Sequence, residues 1–240
     1  MKKLFGIFAL VALMLCGPVI IARSGANRQS DSENCMGNTQ GKSLYVIGDS
    51  YVKNHLRPSS EAWHAKAAAK LGMDYHNLGI NGNCIAFDRT DEGFGVRMTE
   101  RYREIPADAD FILIIAGHND AGMADTDEKF RNFTDSLDYL CARLKEEYPK
   151  ARVGFVTPWA VDRENFKGVI NEIKITAAKY GFPVLDMAYT SGIKVNDPEF
   201  RAVYFQNKGV NDTAHLNDEG HNLLVDYGAA FIQMLAAQPK

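Results

Sequence analysis

Ser43-Leu44-Tyr45-Val46-Ile47-Gly48-Asp49-Ser50 is the stretch that decides how this chain folds. Leu44 to Ile47 is apolar on both sides of an extended backbone, the pattern of a strand buried between two layers. A glycine, an acid and a serine follow at once, which suits a turn leading into a helix. Further downstream, Phe111 to Ala116, Val153 to Thr157 and Val184 to Met187 repeat the apolar run, and Tyr75 to Leu78 gives a weaker fifth candidate.

Between these runs the apolar period changes from two to between three and four. Phe130, Phe133, Leu137, Leu140, Cys141, Leu144 and Tyr148 mark one helix, and Phe166, Ile170, Ile173, Ala177 and Tyr180 a second. Leu223, Leu224, Tyr227, Phe231 and Leu235 mark a last one. Buried strands alternating with amphipathic helices predict an α/β protein, a three-layer α/β/α sandwich around a parallel five-stranded sheet. Ligands of such sheets bind where the strands end at their carboxyl side. Three polar clusters stand there: Gly48-Asp49-Ser50, Gly79-Ile80-Asn81-Gly82-Asn83 and Gly117-His118-Asn119-Asp120.

The 240 residues are 46% hydrophobic and 24% charged, enough for one full-sized core. A formal charge of -3 without any basic run argues against a nucleic-acid partner. Lys2 and Lys3 precede an uncharged stretch, Leu4 to Ala22, that reads as an export signal. Cleavage near Ser24-Gly25-Ala26 is the favoured form; lipidation of Cys16 and an uncleaved membrane anchor compete with it. The division expected is an export signal over 1–26, a polar tether over 27–42 and one domain over 43–240. All three forms place the domain outside the cytoplasm, in the periplasm, outside the cell or on its surface. Cys141 sits on an apolar helix face and is expected to be a buried thiol, whereas Cys35 and Cys84 could pair in an oxidising compartment.

Near the C-terminus, Asp212-Thr213-Ala214-His215 sets a carboxylate three residues ahead of an imidazole. That spacing lets Asp212 hold the tautomer of His215, which can then activate Ser50 as a nucleophile. Gly82, Asn119 and Ser50 itself offer donors for a developing oxyanion. Each feature also has a plainer reading: helix caps for Asp49, Ser50, Asn119 and Asp212, a turn for Gly82, and a structural role for His221. Their common position, at the ends of successive strands, favours the chemical one.

In these four blocks the chain resembles the SGNH/GDSL hydrolase family. Gly48-Asp49-Ser50 matches the first block, with Tyr51 where many members have leucine; Gly82, Gly117-His118-Asn119-Asp120 and Asp212-Thr213-Ala214-His215 match the others. The resemblance covers the domain from Ser43 onward. It implies a flavodoxin-like sheet and a serine esterase with catalytic Ser50, Asp212 and His215, an oxyanion hole of Ser50, Gly82 and Asn119, and neither cofactor nor metal. Acidification is then expected to remove activity as the imidazole takes up a proton.

A short-chain, acetyl-type ester of a glycan or small molecule is the expected substrate, with lipase, lysophospholipase and thioesterase activities left open. No nucleic acid is expected as partner, and a membrane only through the N-terminal segment. Cys84 to Ile105, with Arg89, Arg97 and Arg101, and Tyr189 to Asn211, with Phe200, Tyr204 and Phe205, are expected to wall the site, and Trp159 follows the fourth strand. Their aromatic rings either face a sugar or pack the loops onto the core. Two other classes compete: a metal-dependent phosphoesterase built from Asp49, His118, Asn119, Asp120, Asp212, His215 and His221, and a binding protein without activity.

Overall fold

The computed structural model describes residues 38–239. Leu4 to Ala22, Cys16 and Cys35 lie outside the described residues. Strands β1 (Ser43–Gly48), β2 (Asp74–Gly79), β3 (Phe111–Ile115), β4 (Arg152–Val156) and β5 (Val184–Leu185) form one sheet in the order β2-β1-β3-β4-β5. Every pairing is parallel, and Ile47 of β1 stands between Leu78 of β2 and Ile114 of β3. This doubly wound order switches direction at β1, so the crevice for a ligand opens beyond the carboxyl ends of β1 and β3.

Side chains alternate across the sheet as the pleat requires. On one face Ile47, Ile112, Ile114, Val153 and Phe155 pack against α4 (Asp127–Glu147) and α5 (Phe166–Lys179) through Phe133, Leu137, Cys141, Val169 and Ile173. On the other, Leu44, Val46, Leu113, Ile115 and Val156 pack against α2 (Trp63–Lys70) and α7 (Val225–Ala237) through Trp63, Ala67, Phe231 and Leu235. The shorter helices α1 (Ser50–Lys53), α3 (His118–Met123) and α6 (Asp218–Asn222) sit beside the carboxyl edge of the sheet or lead into α7. Helices on both faces complete the three-layer α/β fold that the apolar runs predict.

β2 is the weak strand of the sequence for a structural reason. It is an edge strand, and apart from exposed Asp74 its residues are only half buried, so its pattern carries little apolar signal. The packed region also reaches a few residues upstream of Ser43: Thr39 Oγ1 donates to the Leu71 carbonyl at 3.1 Å, and the Gly41 N–H to Gly72 at 2.8 Å. Among the described residues Cys84 and Cys141 are buried and form no disulfide, and burial pushes the Cys141 thiol up to about 12.

Candidate active site

Ser50 is the first residue of α1 and follows β1 after a single residue, Asp49, in a tight turn. The turn demands glycine at position 48, because any Cβ there would collide with the Ile115 carbonyl and the Val52 side chain. Asp49 caps α1 by accepting from the Tyr51 N–H at 2.9 Å. Its carboxyl is fully buried, and desolvation raises it to about 7 despite that bond. Asp49 therefore shapes the turn that presents Ser50.

His215 and Asp212 come from the loop before α6. Asp212 Oδ1 accepts from the N–H groups of Ala214 at 2.9 Å and His215 at 3.0 Å, closing a tight turn, while Oδ2 lies 2.7 Å from His215 Nδ1. Burial alone would raise the Asp212 carboxyl, but the ring and backbone donors outweigh it and hold it at about 2. An ionised Asp212 fixes the imidazole proton on Nδ1 and leaves Nε2 as acceptor for the Ser50 hydroxyl, 2.8 Å away. The loop is pinned on both flanks. Trp159 Nε1 donates to the Ala214 carbonyl at 2.9 Å, and an antiparallel bridge joins Phe205 to Leu216.

The two further donors share the cleft with Ser50 and His215. Gly82 has φ of +71°, and a Cβ on it would run into the Phe94 ring, so only glycine fits this turn. Arg89 stacks over Phe94, 4.5 Å from the ring centre, and donates to the Gly82 carbonyl at 3.0 Å. Asn119 Nδ2 spans Asp49 Oδ2 at 3.3 Å and the Asn83 carbonyl at 3.1 Å, tying the first, second and third strand-end loops together. Asp120 accepts from the Ile85 and Ala86 N–H groups and is raised by burial to about 6. The structure thus brings Ser50, Asp212 and His215 into one hydrogen-bonded chain and sets Gly82 and Asn119 on the same cleft wall.

Several residues stand elsewhere than the sequence suggests. Trp159 is buried under the His215 loop, edge-on to Tyr51, and offers no face to a sugar. Arg101 is buried too, clamping the Asn83 side chain and the Leu78 carbonyl, because the loop between β2 and β3 needs internal donors. Arg97 pairs with Glu100 outside the cleft. Phe200 and Tyr204 pack against the α2–α7 core; of the three aromatics named in that segment, only Phe205 lines the cleft. His221 accepts from the Trp63 N–H at the start of α2 and donates to Asn54 Oδ1 at 3.0 Å, so it is structural. With His221 so engaged and Asp120 turned to backbone N–H groups, the donor set of the phosphoesterase alternative is not gathered at one point.

Three neighbours carry no local sequence signal. His118 Nδ1 lies 3.3 Å from Tyr51 Oη, and burial lowers the ring to about 3, so it stays neutral. Arg163 donates to the His118 carbonyl and reaches the cleft from before α5. The His55 ring stacks on His215 with centres 4.5 Å apart.

The cleft holds about 1690 Å³ and is walled largely by polar side chains, among them Arg57, Asn81, Asn207, Lys208 and Asn211. A chain of carboxylate, imidazole and hydroxyl at such a cleft can perform acyl transfer to water. Residues 46–223 match the model of the GDSL-like lipase/acylhydrolase family. The chain belongs to that family. It is a carboxylic ester hydrolase.

Solved structures agree with this GDSL-family fold. A protein from Lactobacillus plantarum is 24% identical, with a TM-score of 0.68 over 81% of this chain and 98% of its own. The aryl esterase of M. smegmatis is 14% identical, with a TM-score of 0.62 over 81% of this chain and 100% of its own. Axe2, an acetylxylan esterase from Geobacillus stearothermophilus, is 19% identical, with a TM-score of 0.56 over 83% of this chain and 96% of its own. Among curated proteins, no sequence match was found.

Proposed function

We propose that this protein is an exported serine esterase that removes short acyl groups, acetyl above all, from a carbohydrate or another polar alcohol. The observation that carries the mechanism is the unbroken chain from Ser50 Oγ through His215 to Asp212, with links of 2.8 and 2.7 Å. In the proposed reaction His215 Nε2 takes the Ser50 proton as Oγ attacks the acyl carbon. The N–H groups of Ser50 and Gly82 stabilise the tetrahedral oxyanion, and Asn119 Nδ2 turns to it the hydrogen it otherwise shares over 3.3 Å with Asp49, keeping its bond to the Asn83 carbonyl. The alcohol leaves with the proton from His215, and water then attacks the acyl-enzyme by the same steps.

Two features favour a small acyl group and a polar leaving group. The cleft wall carries guanidinium, ammonium, carboxylate and amide groups, and its apolar side chains, Leu56, Phe94, Met123, Phe205 and Ala214, come singly between them along the chain. A long alkyl chain gains affinity only from continuous apolar surface, and a hydroxylated ring gains it from donors and acceptors of the kind present. The acetylxylan esterase named above has the same fold. Export rests on the Lys2-Lys3 and Leu4 to Ala22 pattern.

The test is a panel of aryl acetate, butyrate and octanoate with acetylated oligosaccharides, run on wild type and Ser50→Ala, beside labelling with a fluorophosphonate. Acetyl esters should turn over fastest, and Ser50→Ala should lose both turnover and label. Preference for octanoate would sink the substrate reading, and label retained by Ser50→Ala would sink the nucleophile.

A further inference from the structure

His55 takes no part in the mechanism proposed above, yet its placement is unusually determined. Its neighbours Asn54 and Leu56 both have left-handed backbone, φ of 62° and 57°, which non-glycine residues adopt rarely. Asn54 is held there by His221 Nε2, which donates to its Oδ1 at 3.0 Å, and by its own Nδ2, which donates to the Pro58 carbonyl at 2.7 Å. This braced turn lays the His55 ring against the His215 ring at an interplanar angle of 30°.

The His55 Nδ1 atom is buried and has no hydrogen-bond partner among the described residues. A buried nitrogen of that kind calls for an explanation, an ion among them. One ligand atom each from His55, Asp212 and His215 lies within 4.8 Å of the others. Two imidazoles and one carboxylate, with a side open to a cleft, form the donor set of three-ligand zinc sites that keep a fourth position for water. Imidazole donors suit zinc, copper and nickel, whereas magnesium and calcium demand oxygen ligands.

We propose that His55, Asp212 and His215 bind a divalent first-row transition ion, zinc being the working example, and that its binding shuts the esterase off. A metal held by His215 engages the ring that the mechanism needs as a proton acceptor, and Asp212 is drawn from its partner to the ion. The ion is therefore an inhibitor that competes with the proton transfer, and removing it restores the base. The inhibition half of this inference rests on His215 acting as base; the binding half does not.

The experiment separates the two. Zinc is titrated into wild type, His55→Phe, His55→Gln and Ser50→Ala against a chromophoric chelator, and aryl acetate turnover is followed at the same zinc concentrations, relative to each variant's own metal-free rate. Wild type should bind zinc and lose turnover over one concentration range, with recovery on adding EDTA; magnesium and calcium should do neither. His55→Phe keeps a ring against His215 but offers no nitrogen. It should need at least about tenfold more zinc for both effects, a loss typical when the surroundings of a metal site are damaged, and His55→Gln should behave alike. Ser50→Ala should bind zinc as wild type does. The site is overturned if both His55 variants bind zinc and are inhibited over the wild-type range, or if magnesium inhibits equally. If zinc binding requires His55 while turnover survives in Ser50→Ala, the site stands and the serine mechanism falls.

Discussion

Tyr51 meets Trp159 edge to face with ring centres 4.2 Å apart, and Trp159 in turn holds the Ala214 carbonyl one residue before His215. The residue after the proposed nucleophile and the loop of the proposed base are thereby registered through one indole. Trp159→Phe keeps the apolar ring but leaves the carbonyl without its donor, a loss of about 1–3 kcal/mol. For a domain of this size that lowers the melting temperature by roughly 2–4 °C per kcal/mol. Turnover should fall while KM for an acetylated oligosaccharide stays close to wild type, since the indole does not face the cleft. A large rise in KM alone would show that Trp159 touches substrate after all.

Removal of single groups along the proton path should give a graded series. Asn119→Ala is expected to lower kcat by roughly a hundredfold to a thousandfold, the usual loss of one oxyanion donor. Asp212→Asn should cost about ten-thousandfold, because an amide no longer enforces the imidazole tautomer. Steady-state kinetics on an aryl acetate, with circular dichroism to confirm folding, checks both; an Asn119→Ala enzyme within about threefold of wild type would leave the oxyanion hole without its amide.

Gly82 predicts a steric and a conformational penalty that can be told apart. Gly82→Ala places a methyl group against Phe94 and forces an L-residue to φ of +71°. Activity and stability should both drop. Adding Phe94→Ala removes the collision but not the backbone strain, so the double variant should recover part of the loss, read by thermal unfolding and by kcat. Complete recovery would mean that left-handed backbone at position 82 carries no cost.

Acid stability follows from five buried groups. His64, His118 and His221 are lowered, chiefly by burial, to about 4, 3 and 3. Below the ordinary histidine value of about 6.5 the unfolded chain binds their protons and the folded one does not, so their contribution is lost as pH falls. Asp49 and Asp120, raised by burial to about 7 and 6, act the other way: the folded state is protonated while the unfolded carboxylates stay charged down to about 3.9. Three protons against two leave a net uptake on unfolding, so stability falls, by on the order of 1 kcal/mol per pH unit, as pH drops from about 6 to 4. Urea unfolding at several pH values measures it; stability rising over that interval would reverse the balance.

β1, β3 and β4 could be read from the chain because a central parallel strand is apolar on both faces. β5 is legible as a short apolar run although it pairs over only two residues. Helix α2 has no wide apolar stripe, since one large ring, Trp63, and the small side chains of Ala67 and Ala68 do its packing. At the site, Ser50, Gly82, Asn119, Asp212 and His215 were legible because each stands just after a strand or in a spaced pair. Residue type alone suggests Arg101 and Trp159 for the cleft wall, and type does not distinguish a side chain that faces solvent from one bonded inward. His55 could not be found that way: it meets His215 only after 160 residues of folding bring the two loops together.

Ser50 and His215 stand 165 positions apart, and between His215 and the C-terminus lies α7, which covers one face of the sheet. During synthesis the nucleophile's strand is made early and its base almost last. Any part of the chain that holds both spans at least 166 of the 240 residues. Ester hydrolysis is consequently a reporter of the final docking event: a chain stalled before that step is inert, and the recovery of turnover in a refolding experiment times the closing of the molecule rather than the formation of its sheet.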